Sequence, residues 1–275
     1  MVTPDSVKAV EHASKTTDTS WILHHMLDAN YLDFQPFFTI PLPQIHIMGI
    51  DVSITRHVVF MWISMVILIT LLSITAKNYR KSRVPKGIAN VVELLVVFVR
   101  DDIARPTIGK GYESFMPYLL TVFFFILVSN FLGLLPYSAT STSNISVTAT
   151  LAILSFLVIQ IGGIRKNGMF GYFKGLVPHG VPFWLVPVMF VVELLGLFTK
   201  PFALAIRLFA NMTAGHIVIL SLIGLIFILQ TFVVAPVSVA FALFIYLLEI
   251  LVALIQAYVF TMLSSLFIGM AVHQH

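Results

Sequence analysis

The sequence contains no cysteine, and only 10% of its 275 residues are charged. Without cysteine there is no disulfide framework and no thiolate metal site. Soluble domains carry about a quarter charged residues, so this scarcity of charge excludes an ordinary soluble fold. Nine histidines are present, but none falls in an HExxH or paired metal spacing. His24 and His25 read as solvated, and no metal is assigned to them. A Walker motif, a GxSxG elbow and a GxGxxG at a strand–helix junction are all missing. The chain alone therefore shows no covalent chemistry. No apolar stretch follows Met1, so a cleaved signal peptide is not expected. Nor is there an internal repeat of the inverted transporter type.

What is present is apolar: 59% hydrophobic residues and a mean hydropathy of +0.98. Both values indicate an all-α polytopic integral membrane protein. Residues 1–55 hold Lys8, Lys15, Asp5, Glu11, Asp18, Asp28, Asp33 and Asp51 and read as an extramembrane segment, with a short surface hairpin within 36–54. Residues 58–76 are the first span, free of charge and long enough for ~30 Å of hydrocarbon. Lys77, Arg80, Lys81, Arg83 and Lys86 follow and mark the cytoplasmic side. Residues 87–104 differ. Ile88, Val92, Leu95, Val99 and Ile103 keep helical spacing beside a polar stripe of Lys86, Asn90, Glu93 and Arg100. This predicts an amphipathic interfacial helix, closed at Arg105-Pro106, with packing against the next span as a compatible role.

Residues 116–135 and 145–161 are the second and third spans, joined by an uncharged polar loop at 136–144. Arg165, Lys166 and Lys174 return the chain to the positive side. The tract 181–230 is too long for one upright span of ~20 residues. Two spans broken at Lys200-Pro201 and one long kinked helix both satisfy the hydropathy. Residues 236–271 also exceed the bilayer, at ~1.5 Å per residue. About five membrane-embedded helices follow, with the N-terminus outside and the C-terminus on the positive side.

One residue is out of place in this landscape. Arg207 stands in PFALAIRLFANMTAGH, inside the long apolar tract. A charge at mid-bilayer costs from about +2.5 to over +10 kcal/mol, and a guanidinium does not deprotonate, its pKa lying above ~12. The charge must face a partner, an aqueous cleft or another subunit. Asn211, four residues on, shares its helix face. Lys200 and Glu193 precede it by seven and fourteen residues, and drift only slowly around the helix. His216 lies roughly on the opposite face, ~13–14 Å along the axis. In the last tract, Glu249 and Gln256 are seven apart and share a face. A lone buried Gln, Asn or His commonly serves as hydrogen-bonded glue between helices. An Arg and a Glu in separate membrane helices point to function instead.

The motif RLFANMTAGH, preceded by KP and followed by a helix carrying E-x6-Q-A-Y, resembles subunit a of the F-type ATP synthase, loosely from about residue 42 to 267. The resemblance implies that the last two helices are long and strongly tilted along a rotor ring of c subunits. It implies a stator proton channel with two half-channels, non-catalytic by itself. Arg207 would face the ring carboxylates. His216 and Glu249 would form the relay of the outer half-channel, with the two residue types exchanged relative to many bacterial members, and Asn130 would line the same route. Glu193 would serve the cytoplasmic half-channel, while Asn211 and Gln256 would flank the arginine. Lys200 reads as snorkelling. Gly133 departs from relatives that carry Asp there. The implied cofactor is none beyond the transported proton. The implied partners are the c ring, the peripheral-stalk b subunits and lipid, without nucleic acid, in one copy per complex of a bacterial plasma membrane. A self-contained transporter or ion channel, and a structural scaffold, remain the other function classes.

Overall fold

The computed structural model describes residues 31–34, 38–43, 46–47, 50–51, 53–81, 87–135, 138, 140–175, 182, 184–229 and 233–273. The readings of 1–30 lie outside the described residues, as do Arg83 and Lys86. The chain divides into two compact units. One holds Met1–Arg56 with Asn211–Val252, the other His57–Ala210 with Ala253–His275. The helix bearing Arg207 and the last helix each run from one unit into the other.

In the first unit, β1 (Tyr31–Phe34) pairs antiparallel with β2 (Phe38–Pro41), and β3 (His46–Ile47) with β4 (Ile50–Asp51). The single hairpin expected within 36–54 is thus two, the first starting earlier.

Helix α1 (Arg56–Lys81) belongs to the second unit from His57 onward. It outruns the expected 58–76 at both ends, because Lys and Arg are good helix formers and extend a helix past its apolar stretch. α1 buries a narrow stripe of Phe60, Ser64, Leu68 and Thr75. Its hydroxyl groups are satisfied locally: Ser64 donates to the Phe60 carbonyl at 2.9 Å and Thr75 to that of Leu71 at 2.8 Å.

α2 (Ile88–Phe98) passes into a π-helical turn, Val99–Ala104, and then α3 (Arg105–Ile108). Arg105-Pro106 therefore does not close the helix. Pro106 is the second residue of α3, directly after the π turn, and the helical chain runs on through it. The stop comes at Gly109, whose φ of 70° suits glycine. Ala89, Val92, Val99 and Ile103 are buried, whereas Ile88, Val91 and Leu94 form an exposed apolar edge. At the π turn Asp101 is held from both sides. Arg100 bonds it through Nη2 at 2.7 Å, and Arg105 Nη1 lies 3.1 Å from it.

α4 (Met116–Gly133) supplies much of the core through Leu119, Val122, Phe123, Ile126 and Leu127. α5 (Ile145–Asn167) starts on Asn144, whose side chain accepts from the Ser146 N–H at 2.9 Å. It runs past the expected residue 161 because Arg165 and Lys166 suit a helix C-terminus. α6 (Met169–Lys174) is short.

α7 (Val186–Leu229) is one helix of 44 residues containing Pro201. The tract is therefore unbroken at Lys200-Pro201. α8 (Val234–Val272) has 39 residues. At ~1.5 Å per residue the two are ~66 and ~58 Å long. Crossing ~30 Å of hydrocarbon then requires tilt or protrusion.

Within the second unit, hydroxyl and amide pairs tie the end of α8 to its neighbours. Ser155 and Ser264 hydroxyls are 2.9 Å apart, those of Thr107 and Ser265 2.6 Å, and Asn167 donates to the Ala271 carbonyl at 2.9 Å. Such pairs hold helices together where lipid gives no hydrophobic drive. Among the described residues five helices are long and apolar enough to cross a membrane: α1, α4, α5, α7 and α8. The protein is an all-α polytopic membrane protein.

Candidate functional site

The functional candidates fall into two groups, one in each unit. In the first unit the facing parts of α7 and α8 bring His216 and Glu249 together. Imidazole Nδ1 lies 3.4 Å from carboxylate Oε1. That is longer than an aligned N–H···O bond of ~2.9 Å. It is an electrostatic contact whose strength depends on the proton the imidazole carries. Glu249 is 4% exposed. Among the described residues neither of its oxygens accepts a hydrogen bond. A buried carboxylate so placed gains from any proton or cation it can recruit. Gly215 makes the geometry feasible. A Cβ built there would lie 2.7 Å from Oε1 and 2.9 Å from Cδ of Glu249. Asn211, on the same stretch of α7, is exposed.

In the second unit, α7 buries Leu204, Ala205 and Leu208 and leaves Arg207 on its exposed side. Phe202, Ala203, Ile206 and Ala210 are exposed around it. Among the described residues Arg207 has neither an ion pair nor a hydrogen bond. Glu193 is half-buried. The Lys200 ammonium lies 5.4 Å from the centre of the Phe267 ring, a cation–π contact. Gln256 is buried on α8.

Asn130 is fully buried in a polar island at the end of α4. Its Oδ1 accepts from the Thr142 hydroxyl at 2.6 Å and its Nδ2 donates to the Ala253 carbonyl at 3.4 Å. Beside it, a side chain at Gly133 would meet Thr140. The bare glycine fits this loop, and an Asp would require Thr140 to move.

Residues 58–269 match the family described as ATP synthase A chain. The chain belongs to that family. Among its relatives is the ATP synthase subunit a of Chloroherpeton thalassium, 58% identical over 254 residues, covering 91% of this chain and 76% of the relative. The ATP synthase subunit a of Chlorobium phaeobacteroides is 54% identical, covering 90% and 75%. That of Myxococcus xanthus is 53% identical, covering 82% and 76%.

For this member of the ATP synthase A chain family, two site features escaped the sequence. Gly215 is one such residue, since nothing local in the sequence says which side chain enters its space. His57, directly before the expected first span, is the other. Its partner is 83 residues away, the Thr140 carbonyl at 3.1 Å.

Proposed function

We propose that this chain is the stator proton channel of a rotary ATP synthase. It would translocate protons through two half-channels at the interface with a c ring and so couple the proton gradient to ATP synthesis. The observation that carries this reading is Arg207: a permanent charge on an exposed, largely apolar helix face, with no anion to meet it among the described residues. Burying that face against lipid would cost several kcal/mol. A carboxylate arriving from another subunit removes the cost, and the small Ala203 and Ala210 leave room for a partner helix. A transporter complete in one chain needs such a carboxylate within its own fold.

In this scheme Arg207 lowers the pKa of each ring carboxylate that reaches it, so the carboxylate gives up its proton on one side and reloads on the other. The same charge stops protons hopping directly between half-channels. His216 and Glu249 relay protons in the outer half-channel, with Asn130 lining the route. Glu193 serves the cytoplasmic half-channel. Asn211 and Gln256 flank the arginine. The drive is ~2.3 kcal/mol per proton per 100 mV. No cofactor enters, and the chain is not itself catalytic. Its partners would be the c ring, b subunits of the peripheral stalk and lipid, with one copy per complex. It would sit in a bacterial plasma membrane, with the C-terminus cytoplasmic and the N-terminus outside.

The test is proton flux into vesicles stripped of the catalytic head, beside ATP synthesis by intact complexes. Arg207→Lys keeps a charge but loses the planar fork and the fixed protonation state, and is expected to abolish coupled synthesis. Arg207→Ala is expected to make ring-containing vesicles passively leaky. Near wild-type synthesis by Arg207→Ala complexes with an assembled ring would overturn the reading.

A further inference from the structure

The polar island at the end of α4 has a second member that the proposed mechanism does not use. His57, in the first turn of α1, is 3% exposed. A carbonyl oxygen only accepts, so the ring must donate its Nδ1–H to Thr140 across 3.1 Å. The His57 backbone carbonyl in turn accepts from the Ser141 hydroxyl at 3.5 Å. One residue therefore grips the turn between α4 and α5 at two consecutive positions. The next residue of that turn, Thr142, donates to Asn130 Oδ1 at 2.6 Å. The Ala253 carbonyl, which only accepts, decides which way the amide faces: Nδ2 points at it, 3.4 Å away on α8, and Oδ1 is left to accept from Thr142. The opposite orientation would set two oxygens against each other. Thr140, Ser141, Thr142 and Asn130 are all buried, so water does not replace a bond lost here, and an unmet buried group is costly.

We propose that His57 is a positioning residue for Asn130: its ring and backbone hold the Thr140–Thr142 turn, and the turn holds the Asn130 amide against the α8 backbone at Ala253. The role concerns geometry, with the imidazole acting as a fixed donor; it is not a relay of protons. In function it rests on the proton-route reading above, since Ala253 follows Glu249 by four residues on the same helix.

The test uses the assembled membrane sector in vesicles, with proton flux driven by a potassium diffusion potential. Four variants are compared: His57→Leu, His57→Asn, Thr142→Val and the double variant His57→Leu/Thr142→Val. An Asn amide nitrogen can occupy the place of Nδ1, so His57→Asn keeps the donor and removes the titrating ring. His57→Leu and Thr142→Val are each expected to slow flux about tenfold, equivalent to ~1.4 kcal/mol. The double variant should be no slower than about twofold below the worse single, because both break one chain of bonds. His57→Asn should keep at least about half the wild-type rate, with an unchanged pH profile. Thr142→Val leaves His57 intact and carries the same prediction should His57→Leu fail to assemble.

His57→Asn as slow as His57→Leu would overturn the proposal, since a missing donor would not then be the cause. So would fully multiplicative losses in the double variant. Glu249→Gln separates the two readings. If it conducts like wild type, the proton-route reading fails. The brace is then judged by hydrogen exchange at the Ser143 and Asn144 amides, which donate to the Thr140 and Ser141 carbonyls at 3.0 and 3.3 Å. Faster exchange in His57→Leu but not in His57→Asn supports it, and equal exchange in both overturns it.

Discussion

Gly215 on α7 and Glu249 on α8 occupy one space: the position of the Cβ that Gly215 lacks is 2.7 Å from the Glu249 carboxylate oxygen. The carboxylate reaches His216, the next residue, because the glycine leaves room for it. Replacing the hydrogen by a methyl group must move the carboxylate, since carbon and oxygen do not approach so closely.

Gly215→Ala is therefore expected to displace Glu249 from His216. Helix propensity favours alanine by ~1 kcal/mol, so the helix itself should not suffer. Proton flux through ring-containing vesicles should fall at least about tenfold, or ~1.4 kcal/mol, while the c ring still copurifies with the chain. Wild-type flux in Gly215→Ala would mean that the His216–Glu249 geometry is not used.

The topology can be read in this cysteine-free chain with single cysteines. Residues 77–86, 162–180 and the C-terminus are expected on one side, and 136–144 on the other. An impermeant thiol reagent added to sealed vesicles of one orientation should label either His273→Cys or Ser138→Cys, not both. Labelling of both from the same side would break the five-pass arrangement.

At the other end of α8, Gly269 packs on backbone. A Cβ there would meet the Thr107 carbonyl oxygen, with the Thr107 carbonyl carbon at 3.0 Å and Ile108 Cα at 3.3 Å. Backbone does not yield as a flexible side chain does. Gly269→Ala is expected to lower stability in detergent by about 1–3 kcal/mol and to lower the Tm accordingly. Gly171→Ala is the control. Its new methyl meets only Asn167 Cβ at 3.7 Å, an ordinary contact, so its Tm should not fall.

The π turn supplies a pH dependence. The guanidinium of Arg100, bonded to Asp101, holds that carboxyl below the ordinary carboxylate range, and Arg105 adds to the effect. A depressed value means that ionised Asp101 favours the folded turn. The contribution is complete above the unfolded value of ~3.9 and is lost as pH falls through the lower folded value. Hydrogen exchange of the Val99–Ala104 amides, corrected for intrinsic rate, should therefore accelerate on acidification through that window. Asp101→Asn should show the faster exchange already at neutral pH and no further change there. A turn equally protected in both proteins at neutral pH would show that the ion pairs do not hold it.

Much of the fold was legible because membrane spans are written in one dimension. A run of apolar residues states its own length, and charged loops state where it ends. The amphipathic stretch from residue 87 was visible in its spacing, and Val92, Val99 and Ile103 are buried as that spacing implies. Its end was not visible: Pro106 looks like a stop, yet a π turn carries the chain through it to Ile108. Hydropathy also left two readings of 181–230. Leu, Ile, Val and Ala lie on both sides of Pro201, and nothing local separates a bent helix from a broken one.

By itself, the sequence determined that this is a membrane protein without thiol chemistry. It also determined that Arg207 is a permanent charge set in a long apolar tract, and that RLFANMTAGH marks its family. Those properties reside in composition, spacing and motif, and survive any packing of the helices. The tertiary structure decided which residues meet. His216 and Glu249 are 33 residues apart and His57 and Thr140 are 83 apart. No periodicity couples positions on different helices. Their contacts follow from how one helix lies against another, and from where a glycine or a buried hydroxyl lets that approach become close.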